Sequence, residues 1–212
     1  MSAPSSPPGD RFAPRGPQDL TELLAGHPLV WVCSQGPQGL MSTPLPLLPL
    51  CAPDGRLVAI EGHFALANPQ VDALRADSRA DILCLGVQGY VSPSWLSDRT
   101  QAPTWNYASA RLRVRVHFDD APDAALRHLR ALTTQHEAGR PGAWAIDEMG
   151  ARLATLAARV IAFRAEVLEA SERYKLGQDE RADVYPEILA GLQSQDERAL
   201  VGWMRRFNPG RG

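Results

Sequence analysis

Apolar and polar residues alternate along several stretches of this 212-residue chain. The clearest stretch covers 106–118. There Leu112, Val114 and Val116 interleave with Arg111, Arg113 and Arg115. A period of two sends those sets to opposite faces of a strand. Similar patterning predicts strands over 29–34, 56–61, 80–87 and 160–168. The segment 41–50 also reads as a strand, but its prolines (Pro44, Pro46, Pro49) remove ladder donors, so it is expected to be irregular, bulged or at an edge. Turns are expected at 35–39 and at Pro53-Asp54-Gly55. Helical spacing predicts helices over 19–24, from Asn68 to about Ala76, and over 124–137, 146–158, 185–193 and 196–207. Residues 89–104 are rich in Ser, Pro and Trp and read as a long loop. Five or six strands joined by short turns, with helices added late, predict a mainly β chain of the α+β class built on an antiparallel barrel.

Composition adds limits to this picture. The chain is long enough to bury a core unaided. A domain is expected over 18–207, with a disordered or draped arm at 1–17 and a tail at 208–212. The net charge of −2 gives no general basic surface for nucleic acid. Three widely spaced cysteines, Cys33, Cys51 and Cys84, suggest neither a disulfide framework nor a zinc site, and the apolar runs around Cys33 and Cys84 suggest buried reduced thiols in strands. The histidines show no metal-binding spacing, and His128 and His136 are expected at the surface. No stretch resembles a secretion signal or membrane span, so a cytoplasmic protein is expected.

Three segments carry candidate chemistry. Glu61 to Gln70 takes a strand into a helix start at Asn68-Pro69, where free backbone N–H groups suit an anion and His63 offers a further donor. An ordinary strand–helix junction capped by Asn68 explains the same residues. Trp95 and Trp105 sit in a proline-stiffened loop and present flat faces for a heteroaromatic ring, or equally for packing on the barrel or a partner chain. The segment 173–179, with Arg173 and Lys175, reads as a phosphate-reaching loop or a solvated one. The arginine stripe on 106–118 reads as a solvated face paired with acids. No nucleophile–base pattern or phosphate-loop fingerprint occurs, which leaves open whether the protein is an enzyme.

Four segments together resemble the PaiB family of FMN-binding negative transcriptional regulators. Ser42 to Leu48 resembles the family's Ala-Thr-His-Leu-Pro-Leu-Leu strand, and Gly62 to Gln70 its His-x-Ala-Arg-Ala-Asn-Pro-Gln junction. Tyr90 to Trp95 with Pro103 to Tyr107 resembles its tryptophan loop, and Lys175 to Gln178 its Lys-Leu-Ser-Gln segment. The resemblance implies an FMN-binding split β-barrel that dimerises and shares a flavin cleft. It implies cofactor contacts from Thr43, His63, Ala65, Asn68, Gln70, Trp95, Trp105, Asn106, Lys175 and Gln178. This chain departs from the family pattern at Pro44, Leu66, Gly177, Asp179 and Glu180, losing donors or adding negative charge. Weakened FMN binding is therefore expected. A small-molecule or flavin ligand is implied as partner. DNA is implied by the family name but unsupported by the charge. Flavin-dependent oxidoreduction and a flavin-free binding or scaffold dimer are the alternatives.

Overall fold

A computed structural model describes residues 10–211. Seven strands form one antiparallel sheet: β1 Leu29–Gly36, β2 Gly39–Pro46, β3 Leu48–Cys51, β4 Leu57–Ala65, β5 Arg79–Val91, β6 Thr104–Asp119 and β7 Val160–Lys175. Six α-helices accompany them: α1 Gln18–Gly26, α2 Gln70–Ala76, α3 Ala124–Glu137, α4 Arg152–Ala157, α5 Tyr185–Ser194 and α6 Arg198–Phe207. The strand order is β2-β1-β5-β6-β7-β4-β3. The sheet's two ends, β2 and β3, are consecutive pieces of one chain segment separated only by Leu47, so the sheet curls into a barrel. The predicted irregularity at 41–50 is this corner, where the chain leaves β1 and takes up pairing with β4.

The inward set predicted for β6 is buried: Leu112, Val114 and Val116 are all at most 3% exposed. They join Val32, Ile82, Phe64 and Phe163 in one core that continues under α5 and α6 through Tyr185, Ile188, Leu200 and Phe207. Leu23 of α1 covers Gly86 so closely that a Cβ there would lie 2.2 Å from Leu23 Cδ1. A second, small core of Leu129, Ile146 and Leu153 holds α3 and α4 together beside β7.

Several boundaries differ from the sequence-based expectation. Both β5 and β7 run further, to Val91 and Lys175, because ladder pairing with β6 carries them past the expected stops. In β5 a bulge between Leu85 and Gln88 absorbs the glycine-containing stretch. The single helix expected over 146–158 is a 3₁₀ turn, Ile146–Met149, followed by α4. Gly150, at φ 55°, breaks it. His128, expected at the surface, is 5% exposed because α3 lays it against β4. Residues 1–9 of the expected arm lie outside the described residues. Residues 10–17 drape across the end of β7, where Tyr174 N–H donates to the Phe12 carbonyl. Buried Asp19 accepts from Arg206 at 2.9 Å, tying α1 to α6.

Candidate functional site

At the barrel corner, the β2–α2 junction is a closed hydrogen-bond network. Thr43 Oγ1 donates to Gln70 Oε1 at 2.7 Å and accepts from Asn68 Nδ2 at 3.0 Å. Asn68 Oδ1 accepts from Gln70 N–H at 2.9 Å, as a helix-capping side chain does. Gln70 is 1% exposed, and its Nε2 donates to the Val32 carbonyl and Ser34 Oγ, both at 3.0 Å. Gln70 thus pins α2 to β1 and directs none of its carboxamide outward. Ala65 and half-exposed Leu66 end β4 beside this junction. Leu66 N–H donates to the Arg159 carbonyl, which makes Arg159 its neighbour across the ladder. Arg159 is exposed.

His63 belongs to neither this network nor the barrel interior. Inward-facing Phe64 follows it on β4, so His63 turns to the outer face, where its Nδ1 lies 3.1 Å from His128 Nε2 on α3. Burial lowers the pKa of both rings. His128, additionally repelled by charge on His63, is pushed down to about 4. Each ring is therefore neutral near pH 7, and the pair shares one proton across its hydrogen bond. His128 Nδ1 is buried with no partner among the described residues.

Trp95, Trp105, Asn106, Lys175 and Gln178 gather at the opposite end, under α5 and α6. Trp105 is 52% exposed and lies 5.9 Å from the Tyr90 ring, tilted by 57°. Trp95, in a 3₁₀ turn whose start is fixed by Ser92 accepting from Ser94 N–H, leans on Gly191 of α5, where a Cβ would lie 2.3 Å from its ring. Lys175 Nζ donates to Thr104 Oγ1 at 2.6 Å and to the Trp105 carbonyl at 3.1 Å. Asn106 is fully buried, with Nδ2 directed at Met204 Sδ and Oδ1 unpartnered among the described residues. Gln178 closes the turn after β7, accepting from Leu176 N–H and donating to the Tyr174 carbonyl. Gly177, at φ 83°, permits that turn, so its departure from the family serine also has a backbone reason.

The ten expected contacts therefore fall into two clusters and one outlier. Thr43 is separated from Trp105 by three strand steps and, along β6, by the seven residues from Leu112. At about 4.8 Å per strand and 3.4 Å per residue, this is ~28 Å along the sheet. Between the clusters the outer face of β1 and β5 exposes Leu29, Trp31, Leu83 and Leu85, with Trp31 directly opposite Leu83.

The family model described as "Putative FMN-binding domain" matches residues 9–169, most of the chain. This chain belongs to that FMN-binding, PaiB-type family. The protease synthase and sporulation protein PAI 2 of Bacillus subtilis is 26% identical over 138 residues. That match covers 65% of this chain and 66% of the relative, just short of two thirds of its length. Among solved structures, the FAD and heme binding protein of Mycobacterium smegmatis superposes with a TM-score of 0.58 at 21% identity, over 84% of this chain and 79% of that one. The flavocytochrome Anf3 of Azotobacter vinelandii gives 0.57 at 15% identity, over 81% and 76%. At these identities the structural matches establish the fold, a flavin-type split barrel of the α+β class. FMN is accordingly the cofactor that the family assignment supports.

The arginine stripe fits its bland expectation. Arg111 pairs with Asp81 at 3.0 Å, Arg113 with Glu169 at 2.5 Å and Arg115 with Glu166 at 3.5 Å. Cys33, Cys51 and Cys84 are free, and burial pushes the Cys84 thiol up to about 11. No group of three or more metal-ligating side chains occurs among the described residues, and no described helix is long and apolar enough to cross a membrane. Sequence reasoning did not single out Tyr90, beside Trp105, or Arg159, beside the β4–α2 junction. Only Tyr90 had a local signal, its place at the head of the tryptophan loop.

Proposed function

We propose that this chain is an FMN-binding homodimer that serves as the ligand-binding body of a negative transcriptional regulator. The observation that carries the proposal is the separation of the two clusters. A distance of ~28 Å exceeds what one flavin mononucleotide spans, so a single chain offers only half of each cleft. A two-fold axis through the exposed Leu29–Trp31–Leu83–Leu85 face brings the β2–α2 junction of one chain toward the Trp105 cluster of the other. Four large exposed apolar side chains on one sheet face are the usual mark of such a contact.

The residues present fit the cofactor in part. Trp105 and Tyr90 offer flat, half-exposed rings. Lys175 supplies an ammonium in the same cluster, and exposed Arg159 a guanidinium beside the junction. Thr43 and Asn68 hold the junction in shape. Bound FMN would supply reversible electron acceptance. Leu66 presents an apolar side chain where the family pattern carries arginine, and a charge-assisted phosphate contact is worth about 1.5–3 kcal/mol. FMN affinity about ten- to a hundredfold below that of an arginine-bearing site follows. The β6 arginines are already neutralised by acids and so do not offer a DNA contact surface. Titration of colourless protein with FMN, read by tryptophan quenching, tests the proposal. Saturation at one FMN per chain in the micromolar range supports it, and no saturation at millimolar FMN removes it.

A further inference from the structure

Two cross-strand rows lie side by side on the outer face of β5, β6 and β7. In one, Tyr90 stands directly opposite Trp105. In the next, Gln88, Tyr107 and Lys175 stand opposite one another. Lys175 is half-buried there. Its Nζ donates to Thr104 Oγ1 at 2.6 Å and to the Trp105 carbonyl at 3.1 Å, which anchors the ammonium at the foot of the exposed Trp105 ring. An ammonium has three donors, so one is left over.

This cation stands apart from the rest of the chain. Of 22 lysines and arginines, Lys175 is the single lysine and 21 are arginines. The arginines nearby are engaged: Arg111 pairs with Asp81, Arg181 with Asp98 and Asp183, and Arg173 lies over the Phe12 ring at 4.6 Å. Lys175 forms no ion pair among the described residues, and Glu180 feels its charge from beyond ion-pair distance. A fixed, unpaired ammonium beside two open rings is a place for negative charge.

We infer that Lys175 sets the electron affinity of the bound flavin, its ammonium answering the negative charge that the N1–C2=O edge of the ring acquires on reduction. The inference rests on the two-chain cleft proposed above. In that cleft the phosphate lies at the β4–α2 junction of one chain and the ring at the Trp105 cluster of the other, so Lys175 belongs to the ring end. The oxidised ring is neutral. When an added reductant delivers two electrons and one proton, the proton goes to N5 and the charge stays on the N1–C2=O edge. An ammonium there holds the reduced ring more tightly than the oxidised one.

The test is the midpoint potential of bound FMN, read by dithionite titration against a redox dye in mildly alkaline buffer. The Kd values of oxidised FMN and riboflavin are read alongside by tryptophan quenching. Lys175→Met is expected to loosen reduced FMN about ten- to a hundredfold relative to oxidised FMN, a fall in potential of about 30–60 mV. Oxidised FMN should weaken by less, about threefold, because its ring offers a carbonyl but no charge. Riboflavin, which has no phosphate, should show the same fall in potential. Lys175→Gln, which keeps a donor for Thr104 and the Trp105 carbonyl, should behave as the Met variant does, and Lys175→Arg should keep the wild-type potential. An unchanged potential in the Met and Gln variants overturns the inference. So does loss of FMN binding with riboflavin binding retained, which would make Lys175 a phosphate ligand. A wild-type protein that binds neither flavin refutes the flavin proposal and this inference with it, whereas bound FMN with an unchanged potential refutes this inference alone.

Discussion

Protonation of the His63–His128 pair should set the protein's stability between pH 7 and 4, and His128→Leu should abolish much of that dependence. His128 sits near pKa 4 in the folded chain, against 6.5 ordinarily. A base whose folded pKa is lowered binds more protons when unfolded. Its destabilising contribution is therefore negligible above pH 7, grows as pH falls through 6.5, and is complete below about 4. With these two values the loss between pH 7 and pH 5 is about 2 kcal/mol, and the full loss about 3 kcal/mol. For a chain of this size the pH 5 loss corresponds to a melting-temperature drop of about 4–8 °C. His128→Leu keeps the buried position filled and, at pH 7, costs about 1 kcal/mol through the lost hydrogen bond. Differential scanning fluorimetry of both proteins in steps from pH 7.5 to 4.5 reads the effect. The two melting curves should converge and then cross as pH falls. Parallel curves at a constant offset would show that His128 is not held neutral by burial. FMN affinity at pH 7.5 should be the same in both, since the pair faces α3 and lies outside both clusters.

Other substitutions follow from the same contacts. Gly191→Ala should push Trp95 off α5, costing about 1–3 kcal/mol and changing near-ultraviolet circular dichroism in the tryptophan region, because a Cβ there meets the indole at 2.3 Å. Leu66→Arg should tighten FMN binding about tenfold or more, measured by fluorescence titration; no gain would mean that this junction does not face the phosphate. Arg159→Ala should weaken FMN about three- to tenfold by loss of a partly screened charge, and an unchanged Kd would place the phosphate elsewhere. Duplex DNA should show no salt-dependent binding through β6, and Arg113→Ala should leave any measured DNA affinity unchanged.

Much of the barrel was legible because burial on one face writes a period of two into the sequence. Leu112, Val114 and Val116 announce β6, and the prolines at 44, 46 and 49 announce the corner at which β2 becomes β3. What alternation does not carry is where pairing stops. Gly86 and Gly89 look like breakers, yet β5 runs through both, because a bulge and the ladder to β6 absorb them. The candidate site was legible as residue types and not as geometry. Gln70 reads as a polar group at a helix start, but its carboxamide turns inward to Val32 and Ser34 of β1, some 36 residues earlier in the chain. His63 reads as a donor in the junction, but strand parity sends it to the opposite face from Phe64, where it meets a histidine 65 positions away. Such pairings depend on register and helix docking, which leave no local trace.

The shared cleft is tested most directly by FMN titration of Leu85→Glu, with the mass determined by light scattering on the same sample. Leu85 is 63% exposed in the proposed contact; it pairs with Ser109, four residues along β6 from Trp105, and stands two strands away from Thr43, so a carboxylate there should disrupt association without unfolding the barrel or touching either cluster. The expected result is a wild-type protein of twice the 23.1 kDa chain mass that binds FMN, and a folded variant of single-chain mass that does not. A monomeric variant that binds FMN as tightly as the wild type would contradict the account.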